Sequence, residues 1–571
     1  MTKIPKEFRA GPLSPLAVNP LFGRWLEEPA VLQDRLRLAL RPDEPALAEQ
    51  AAWVGEHFAG DRHRLVEALL ATGRELGAPL ASMENAARLE DPRALALVTG
   101  QQPALAGGPA YTVYKALQAV RWARELELRW RRPVIPVFWL AGEDHDYGEA
   151  SGTYVWTADR RVMRIRLATR HGWRRPVAWV PLEADAQLAV EALLQALAPL
   201  EHAGEVRALL EGSLRSSRLL GDWFARLLLG LLGRRGLVLC DPMRPELRRL
   251  AAPAVELLLR RPAEVLQACR QGEEAIRARG LTPALRSHPL QLPLFHLDGD
   301  GARRALQYRE GSFSERGGAW SGTAAALLDE LERAPERFSP SAALRPVVQD
   351  RLLPTVAYVA GPGEIAYLSQ LAELYAFYGQ RPPVFLPRRH VTVVGGEEAE
   401  WMERADADVA SVWEARSRPE ILVARGIPSV RAALSEWEAR RQALARALEA
   451  SQGFLAALEG GEGAAAGPGE DAGSAWTGRW LARLDRRLWS LLRLRHRADF
   501  SEARRVATAL FPLALPQDRV FAVWSWLARS GTDWLEEVAE APIEPLHLVA
   551  WPLRPEEAAC SRRQASGGGT D

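Results

Sequence analysis

Lysine is scarce in this chain. Among the 73 lysine and arginine residues in a sequence of 571, only Lys3, Lys6 and Lys115 are lysines. Lys115 is therefore the only lysine in the body of the chain. The use of arginine almost everywhere else fits GC-rich coding or adaptation to heat, and composition alone does not separate the two. One retained internal ammonium group makes Lys115 a candidate for a specific contact.

The sequence also contains few cysteines, no long apolar run and little net charge. The three cysteines, Cys240, Cys269 and Cys560, are too few for a disulfide framework and lack the spacing of a zinc site, which fits a reducing compartment. No run of about 18 uncharged apolar residues occurs, and the start of the chain lacks the apolar segment of a signal peptide. The net charge of +1 argues against a surface made for polyanions. We therefore expect a cytoplasmic protein without a membrane or nucleic-acid partner.

Five short apolar runs are present, each bounded by turn or polar residues. Near-continuous hydrophobicity without alternation is typical of parallel strands that are buried on both faces of a sheet. Apolar residues at helical spacing follow the first run, from Pro109 to Trp130, and a second helix is predicted over residues 364–379. The pattern predicts an α/β fold with a doubly wound parallel sheet. The predicted strands are residues 94–98, 134–141, 236–240, 355–360 and 383–387.

The uneven spacing of these strands indicates inserted subdomains. Long stretches separate the second strand from the third and the third from the fourth, and loops of that length are rarely structureless. We place the insertions at about residues 156–230 and 270–340, within a core domain of residues 1–425.

The last third of the chain has a different composition. Residues 426–511 are rich in helix-forming Leu, Ala, Arg and Glu, and they predict a long antiparallel helical coiled-coil arm with a flexible tip at 459–474. Residues 512–555 are predicted to return to the core. Residues 556–571 are predicted to be disordered.

The first predicted strand leads into a glycine-rich turn and a helix. Pro109 follows Gly107 and Gly108 and occupies the predicted first helical position. Free N–H groups and the helix dipole at such a start favour an anion, although the turn matches neither common glycine-rich phosphate motif. Lys115 shares a helix face with Tyr111. Its ammonium group either pairs with a carboxylate of a neighbouring loop or contacts a substrate carboxylate or phosphate.

Ionisable residues follow the second predicted strand. Glu143, Asp144, His145 and Asp146 stand at the carboxyl end of a buried strand, which is the edge where open α/β sheets bind ligands. Adjacent side chains alternate in direction, so an acid–base or hydrogen-bonding role is favoured over a metal site. A helix cap with internal salt bridges is the alternative for one or two of them. The sequence predicts no metal.

Polar or glycine-rich residues also flank the fourth and fifth predicted strands. Each group alone would be an ordinary strand-to-helix connection. Four such strand endings together favour one shared cleft. The flanking residues are Arg345, Gln349 and Asp350 before the fourth strand, Gly361, Gly363 and Glu364 after it, and Arg388, Arg389 and His390 after the fifth.

Five stretches of the sequence, taken in order, match the pattern of one family. They are "TGQQPALAGGPAYTVYK", "VFWLAGEDHDYGE", "LRPVVQDRLLPTVAYVAGPGEIAY", "PRRH" and "PQDR". In these motifs and their order the chain resembles the bacillithiol biosynthesis cysteine-adding enzyme family (BshC). The resemblance runs from about residue 50 to about residue 550.

The resemblance implies a Rossmann-like core related to class I aminoacyl-tRNA synthetases and nucleotidylyl transferases. It also implies two connecting insertions and a coiled-coil arm used in homodimerisation. The implied reaction is that of a ligase forming a carbon–nitrogen amide bond, which adds L-cysteine to the amine of glucosaminyl malate in the last step of bacillithiol biosynthesis. Bacillithiol is a low-molecular-weight thiol. The resemblance identifies no cofactor, and the use of ATP or another nucleotide is left open.

The family motifs also carry site residues by position. The resemblance implies that the catalytic residues are Lys115, Glu143, Asp144, His145 and Asp146. The predicted substrate-binding residues also include Arg345, from the segment before the fourth strand. They are Thr99, Gln101, Gln102, Gly108, Pro109, Tyr111, Arg345, Gly361, Glu364 and Arg388.

The chain departs from the family pattern at a few positions in these motifs. The changes in the turn spare its polar groups, whereas the change after "PR" removes a hydroxyl. The departures are Ala104, Ala106 and Ala110 for Gly, Phe and Leu, His390 for Ser, and Asp518 for Glu, while Arg519 is kept.

The mechanistic hypothesis is that the turn at 107–111 and Lys115 bind malate or the activated carboxylate. Glu143, Asp144 or His145 would then hold or deprotonate the attacking amine. The HxGH and KMSKS signatures of the related synthetases are missing. The alternatives are a non-catalytic dimeric scaffold or an RNA- or partner-binding relative of the synthetases, supported only by the basic strip 486–497, and a nucleotidylyl transferase of the same fold.

Overall fold

The structure is a computed structural model that describes residues 19–318, 320–459, 470–540 and 549–552. Of the described residues, 19–392 and 516–540 belong to one compact unit, and 393–515 belong to a second. The predicted disordered tail and most of the predicted flexible tip lie outside the described residues.

The described strands form a central five-stranded sheet, a second five-stranded sheet and two further pairs of short strands. The strands are β1 (Leu95–Gln101), β2 (Val134–Leu140), β3 (Gly152–Trp156), β4 (Val162–Arg166), β5 (Val238–Cys240), β6 (Gln291–Leu297), β7 (Arg303–Arg309), β8 (Ser312–Glu315), β9 (Ser321–Thr323), β10 (Phe338–Pro340), β11 (Thr355–Ala360), β12 (Val384–Pro387), β13 (Val391–Val394) and β14 (Val549–Pro552).

Helices make up most of the remaining regular structure. They are α1 (Pro20–Glu27), α2 (Pro45–His57), α3 (Arg62–Leu76), α4 (Leu80–Arg88), α5 (Tyr111–Trp130), α6 (Tyr147–Ala150), α7 (Ala184–Leu197), α8 (Ala203–Arg215), α9 (Leu220–Leu232), α10 (Pro245–Arg260), α11 (Pro262–Arg277), α12 (Ala324–Arg333), α13 (Arg345–Leu352), α14 (Pro362–Leu368), α15 (Ala372–Phe377), α16 (Gly396–Arg404), α17 (Val409–Glu414), α18 (Glu420–Gly426), α19 (Pro428–Glu459), α20 (Glu470–Arg495), α21 (Arg497–Leu510), α22 (Trp524–Ser530) and α23 (Trp534–Glu540).

The central sheet has the strand order β12-β11-β1-β2-β5, and every neighbouring pair in it is parallel. These are the five strands that the apolar runs predict, so the prediction of an α/β fold with a parallel sheet is confirmed. Parallel pairing brings the carboxyl ends of the strands to one edge, with Gln101 of β1 opposite Leu140 of β2.

Both faces of this sheet are covered. Leu95 and Leu97 of β1 pack on one side in a core shared with α2 and α5. Ala96 and Val98 face the other side, in a core shared with α1, α3 and α10. Burial on both faces explains why the strands read as unbroken apolar runs.

The helix after β1 starts later than the sequence predicts. Pro109 was expected at the first helical position, but α5 begins at Tyr111. The Pro109 carbonyl accepts the Thr112 N–H at 3.0 Å, which is the tighter bond of a turn. Gly108, with φ of 71° and ψ of −158°, sets the direction of this turn in a conformation that is open mainly to glycine.

The helix predicted over residues 364–379 is broken into α14 and α15. Gln370 and Leu371 donate their N–H groups to Tyr367 and Leu368, three residues back rather than four. The Ser369 hydroxyl also donates to the Ala366 carbonyl at 2.8 Å. Such local side-chain bonding competes with a continuous helix, and the chain bends at this point.

The long connections of the sheet contain the inserted elements. Between β2 and β5 lie the antiparallel pair β3–β4 and helices α6 to α9. Between β5 and β11 lies an antiparallel sheet in the order β10-β6-β7-β8-β9. Its β6–β7 hairpin turns at residues 298–301.

The second compact unit is helical in its described residues. Residues 393–425, which the sequence predicts to be part of the core domain, belong to the second unit, where α16, α17 and α18 pack on α21. The two long helices α19 and α20 contact each other, and the Trp437 indole N–H donates to Asp485 at 2.9 Å. None of the described helices is both long and apolar enough to cross a membrane.

Candidate active site

A cleft of about 630 Å³ opens where the carboxyl ends of the central strands meet. Part of its wall comes from the second sheet and the segment before it, residues 285–303. Six basic side chains line the cleft against three carboxylates, and this excess of positive charge favours an anionic ligand. The basic residues are Lys115, Arg286, Arg303, Arg345, Arg388 and Arg519, and the acidic ones are Glu143, Asp144 and Glu364.

Most of the predicted site residues line this cleft. They are Gln101, Gln102, Tyr111, Lys115, Glu143, Asp144, His145, Arg345, Gly361, Glu364 and Arg388.

Four predicted site residues do not line the cleft. The Thr99 hydroxyl is fully buried and donates to the Val359 carbonyl at 3.1 Å, which ties β1 to β11. The Asp146 carboxylate caps α6 by accepting the Glu149 N–H at 3.0 Å. Gly108 and Pro109 shape the turn before α5, as described above. These contacts give the four residues structural roles, and Pro109 also lines a smaller pocket beside the cleft.

Lys115 is buried in the wall of the cleft. Its ammonium group donates to the Gly100 carbonyl at 2.7 Å and to Glu364 Oε2 at 2.6 Å, and 1% of its side chain is exposed. The ion pair with a neighbouring loop was one of the two alternatives left open by the sequence, and it is the one that the structure contains. An ammonium group suits this position because it is compact and donates in three directions.

Glu364 is the centre of a small buried network. Its Oε2 also accepts the Gly361 N–H at 2.8 Å, and its Oε1 accepts the Tyr358 hydroxyl at 2.8 Å. Burial opposes ionisation of this carboxyl, but the Lys115 ammonium group outweighs it and holds the pKa of Glu364 below its ordinary value. Burial lowers the pKa of Lys115 in turn. The two groups form a charged pair that joins β1, α5 and α14.

Several N–H donors at the start of α5 are already occupied. The Ala110 N–H donates to the Phe521 carbonyl at 2.8 Å, and the Thr112 and Val113 N–H groups donate within the turn. The Trp524 indole N–H also donates to the Ala106 carbonyl at 2.6 Å. The turn is thus tied to the segment around residue 521. Fewer backbone donors are therefore available to an anion at this turn than the sequence suggests, and the anion site expected there stays a prediction.

Arg345 presents its guanidinium to the cleft from the start of α13. It donates to Gln349 Oε1 and to the Tyr367 hydroxyl, each at 2.9 Å, and lies 5.7 Å from the centre of the Tyr358 ring. Although burial opposes the charge, the surrounding phenol groups and Glu364 raise the pKa of Arg345 above its ordinary value. This cation is therefore fixed in place before any ligand binds.

Arg388 is held by a buried triad with Asp518 and His390. Its guanidinium bonds to Asp518 Oδ2, while His390 Nδ1 lies 3.1 Å from Asp518 Oδ1. The Arg388 guanidinium also lies over the Tyr111 ring at 4.9 Å from the centroid. His390, which replaces the family serine, contributes an imidazole contact to Asp518 at this position.

Arg519 joins the cleft although the predicted site residues did not include it. Its side chain is half buried, and no ion pair among the described residues engages its guanidinium. Its neighbour Asp518 instead pairs with Arg388. The "PQDR" motif indicated both residues in the sequence. Their position relative to the cleft, however, depends on contacts with residues that are distant in the chain.

The acidic residues that follow β2, which form the acidic corner of the cleft, have different roles. Glu143 is buried and pairs with Arg248, with 2.5 Å between Oε1 and Nη1. Asp144 lines the cleft, and its Oδ1 accepts the N–H groups of His145 and Asp146 at 2.6 and 3.1 Å, so that Oδ2 is left without a hydrogen bond among the described residues. Asp144 is therefore the carboxylate of this corner that is available to a ligand.

Arg303 fixes the tautomer of the His145 ring. Arg303 was not among the site residues predicted from the sequence. Arg303 Nη1 lies 3.1 Å from His145 Nδ1 and can only donate, so Nδ1 is an acceptor and the ring hydrogen is on Nε2. Burial and then the Arg303 charge hold the pKa of His145 below its ordinary value. The ring is thus a neutral N–H donor. No group of three His, Cys, Asp or Glu side chains with metal-binding geometry occurs in the described part of the chain.

This arrangement predicts the effect of removing the Arg303 charge. Arg303→Gln should raise the pKa of His145 toward its ordinary value of 6.5, because a cation no longer opposes protonation of the ring. An NMR titration of the His145 ring protons measures this shift. Arg304→Gln is the matched control, because Arg304 pairs with Asp298 instead. Equal His145 titrations in the Arg303→Gln variant and the unmodified protein would contradict the assignment.

Comparison with known families adds a finding that is independent of the geometry. A family model described as bacillithiol biosynthesis BshC, N-terminal Rossmann-like domain, matches residues 17–389. These residues include the central sheet and most of the cleft.

Named relatives match much of the chain. A protein of Symbiobacterium thermophilum named "Putative cysteine ligase BshC" is 38% identical over 396 residues, which are 66% of this chain and 69% of that protein. A protein of the same name from Geobacillus thermodenitrificans is 32% identical over 501 residues, 86% of this chain and 90% of that protein. A solved structure from Campylobacter jejuni, named a putative arginyl tRNA synthetase, covers 53% of this chain and 56% of its own at 10% identity. Its TM-score of 0.19 is too low to support any statement about fold.

Proposed function

Because the chain belongs to the bacillithiol biosynthesis BshC family, we propose that it is a ligase that adds L-cysteine to the amine of glucosaminyl malate. The reaction forms an amide bond and is the last step in making bacillithiol. We place this activity in the cytoplasm. The observation that carries the proposal is the basic cleft at the carboxyl edge of the sheet, in a chain that is 32–38% identical to relatives named as putative cysteine ligases.

The charge of the cleft suits the malate part of this substrate. Malate joined to a sugar through its hydroxyl keeps two carboxylates, and the cleft presents several guanidinium groups. Arg345 and Arg388 line the cleft and are fixed by their own contacts. A guanidinium binds a carboxylate through two parallel hydrogen bonds, so pre-positioned arginines favour this ligand.

The acidic corner after β2 suits the amine of glucosaminyl malate. An amine must lose a proton as its nitrogen attacks a carboxyl carbon, and Asp144 Oδ2 is the acceptor available in the cleft. His145, neutral and protonated on Nε2, donates a hydrogen bond and does not accept the proton. Of the three candidate bases that the sequence left open, Asp144 is thus the one we propose.

Bond formation places one further requirement on cysteine. A carboxylate is a poor electrophile at neutral pH, so its carbon must carry a better leaving group when the amine attacks. The nitrogen forms the new bond, the leaving group departs with the electron pair of its bond to carbon, and the proton passes to Asp144. We assign Lys115 a positioning role, because its donors are directed at Gly100 and Glu364.

The long helices suggest how two copies associate. We propose that α19 and α20 form the coiled-coil arm of a homodimer, as the family resemblance implies. The Trp437–Asp485 hydrogen bond and the Arg441–Asp485 ion pair at 3.4 Å support the pairing of the two helices within one chain.

The ligase proposal has a direct test. Purified protein incubated with L-cysteine, glucosaminyl malate and ATP should yield bacillithiol, measured by mass spectrometry after thiol labelling. A strain lacking the protein should contain no bacillithiol and should accumulate glucosaminyl malate, and restoring the chain should reverse both changes. A deletion strain with normal bacillithiol would overturn the proposal.

The same experiments separate the alternatives. A nucleotidylyl transferase would release pyrophosphate in the absence of cysteine. An RNA-binding relative would retain tRNA on a nitrocellulose filter, with retention that falls steeply between two salt concentrations.

A further inference from the structure

A second, smaller pocket adjoins the cleft. It has a volume of about 230 Å³ and lies between the start of α5, the α6–β3 segment and residues 519–520. We call it the side pocket. It shares four residues with the cleft, namely Gln101, Gln102, Tyr111 and Arg519. Typical sites for drug-sized ligands have about 300–1,000 Å³, so the side pocket suits a smaller molecule.

Two buried hydroxyl groups of the side pocket lack a partner. Thr112 Oγ1 and Thr153 Oγ1 both line it and have no hydrogen-bond partner among the described residues. The exposed fractions of the two residues are 0% and 2%. Buried polar atoms are nearly always hydrogen-bonded, so two in one pocket indicate that something polar binds there.

The side pocket also carries three charged side chains, one acidic and two basic. Glu149 extends from α6, and no ion pair in the described part of the chain includes its carboxylate, while Arg164 and Arg519 supply the two guanidinium groups. Burial, and then the carboxylates of Asp146 and Asp144, raise the pKa of Glu149, whereas the Arg519 charge and the Gln102 amide act in the opposite direction. A bound cation would therefore be stabilised beside it. Arg519, likewise without an ion-pair partner, lines the side pocket as well as the cleft.

A carboxylate, two guanidinium groups and two unpartnered hydroxyls around a small volume match a small molecule that carries both an ammonium and a carboxylate group. We propose that the side pocket binds the free amino acid substrate, with its α-ammonium at Glu149 and its α-carboxylate at Arg519. This inference rests on the proposed function, from which the amino acid is L-cysteine. Because Arg519 is shared with the cleft, this orientation directs the carboxyl group toward the second substrate and its amine.

The proposal is tested by titration calorimetry on the full-length protein under reducing conditions, with L-cysteine and L-malate as separate probes. Glu149→Gln should weaken L-cysteine binding about tenfold or more, because it removes a charge-assisted hydrogen bond, and should leave L-malate binding unchanged. Thr153→Val, which keeps the side-chain shape, should weaken L-cysteine binding in the same selective way. Glu191→Gln, on an exposed face of α7, is the matched control and should change neither affinity.

A second probe series tests the two ends of the ligand. Cysteamine, which lacks the carboxylate, should bind the unmodified protein far more weakly than L-cysteine, while L-serine should bind measurably. In the ligation assay, Glu149→Gln should raise KM for cysteine about tenfold, with kcat largely kept at saturating cysteine.

The outcomes separate this inference from the proposed function. Unchanged L-cysteine affinity in both variants, with ligation intact in the unmodified protein, would overturn the side pocket as the amino acid site and leave the ligase proposal standing. Selective loss of L-cysteine binding in both variants would support the side pocket, whichever reaction the cleft performs. Absence of ligation by the unmodified protein would count against the proposed function alone.

Discussion

Replacing Lys115 with methionine should abolish ligation and lower the free energy of unfolding by about 3–5 kcal/mol. The ammonium group is buried and neutralises Glu364, whose carboxylate would stay behind without its cation. Urea denaturation measures the stability change, and bacillithiol formation measures the activity. From sequence alone, the same substitution would be expected to spare the fold. The buried ion pair is the reason for expecting otherwise.

A double variant separates the two effects. Lys115→Met combined with Glu364→Gln removes both charges, so most of the lost stability should return while ligation stays absent. Arg124→Met is the matched control on the same helix, because its ion pair with Glu540 is exposed and should contribute at most about 1 kcal/mol. A Lys115→Met protein as stable as the unmodified one would disprove the role of the pair.

Asp518→Asn should have an effect of similar size by a different route. It leaves Arg388 buried beside a neutral amide, at an expected cost of about 3–5 kcal/mol in the free energy of unfolding. It should also raise KM for glucosaminyl malate, because Arg388 loses the contact that orients it in the cleft. Asp43→Asn, whose ion pair with Arg41 is exposed, should change neither quantity. A stable Asp518→Asn variant with normal KM would contradict this assignment.

The same triad predicts how stability depends on pH. Burial opposes ionisation of Asp518, but the Arg388 and His390 contacts outweigh it and lower its pKa to about 2 from an ordinary value of 3.8. A carboxyl whose pKa is lowered on folding stabilises the protein above its unfolded pKa. The contribution is lost as the pH falls from about 4 toward about 2. Denaturation curves across that range should show a smaller pH-dependent loss in Asp518→Asn than in the unmodified protein.

The sheet could be predicted from sequence because its signal is local. Each strand is a short apolar run, and burial on both faces is the physical reason for the missing alternation. The position of the cleft followed, since parallel strands bring their carboxyl ends to one edge. The exact start of α5 and the break between α14 and α15 depend on single hydrogen bonds, which composition does not reveal.

The contacts within the site could not be predicted in the same way. Lys115 and Glu364 are 249 residues apart, and His145 and Arg303 are 158 apart. Nothing local distinguishes a lysine that meets a ligand from one that meets a carboxylate of its own chain. The loss of one donor from the anion site expected before α5 has a related reason. Its Ala110 N–H is occupied by the carbonyl of Phe521, a residue distant in the sequence.

The pairing of Arg388 with Asp518 has a consequence for biosynthesis of the protein on the ribosome. The two residues are 130 positions apart, and residues 393–515 of the second compact unit are translated between them. At about 5–20 residues per second, Asp518 is synthesised on the order of ten seconds after Arg388. During that interval the nascent chain holds a guanidinium that is costly to bury without its counter-charge, which disfavours closure of the cleft around it. Chains that end before residue 518 therefore lack this ion pair of the cleft.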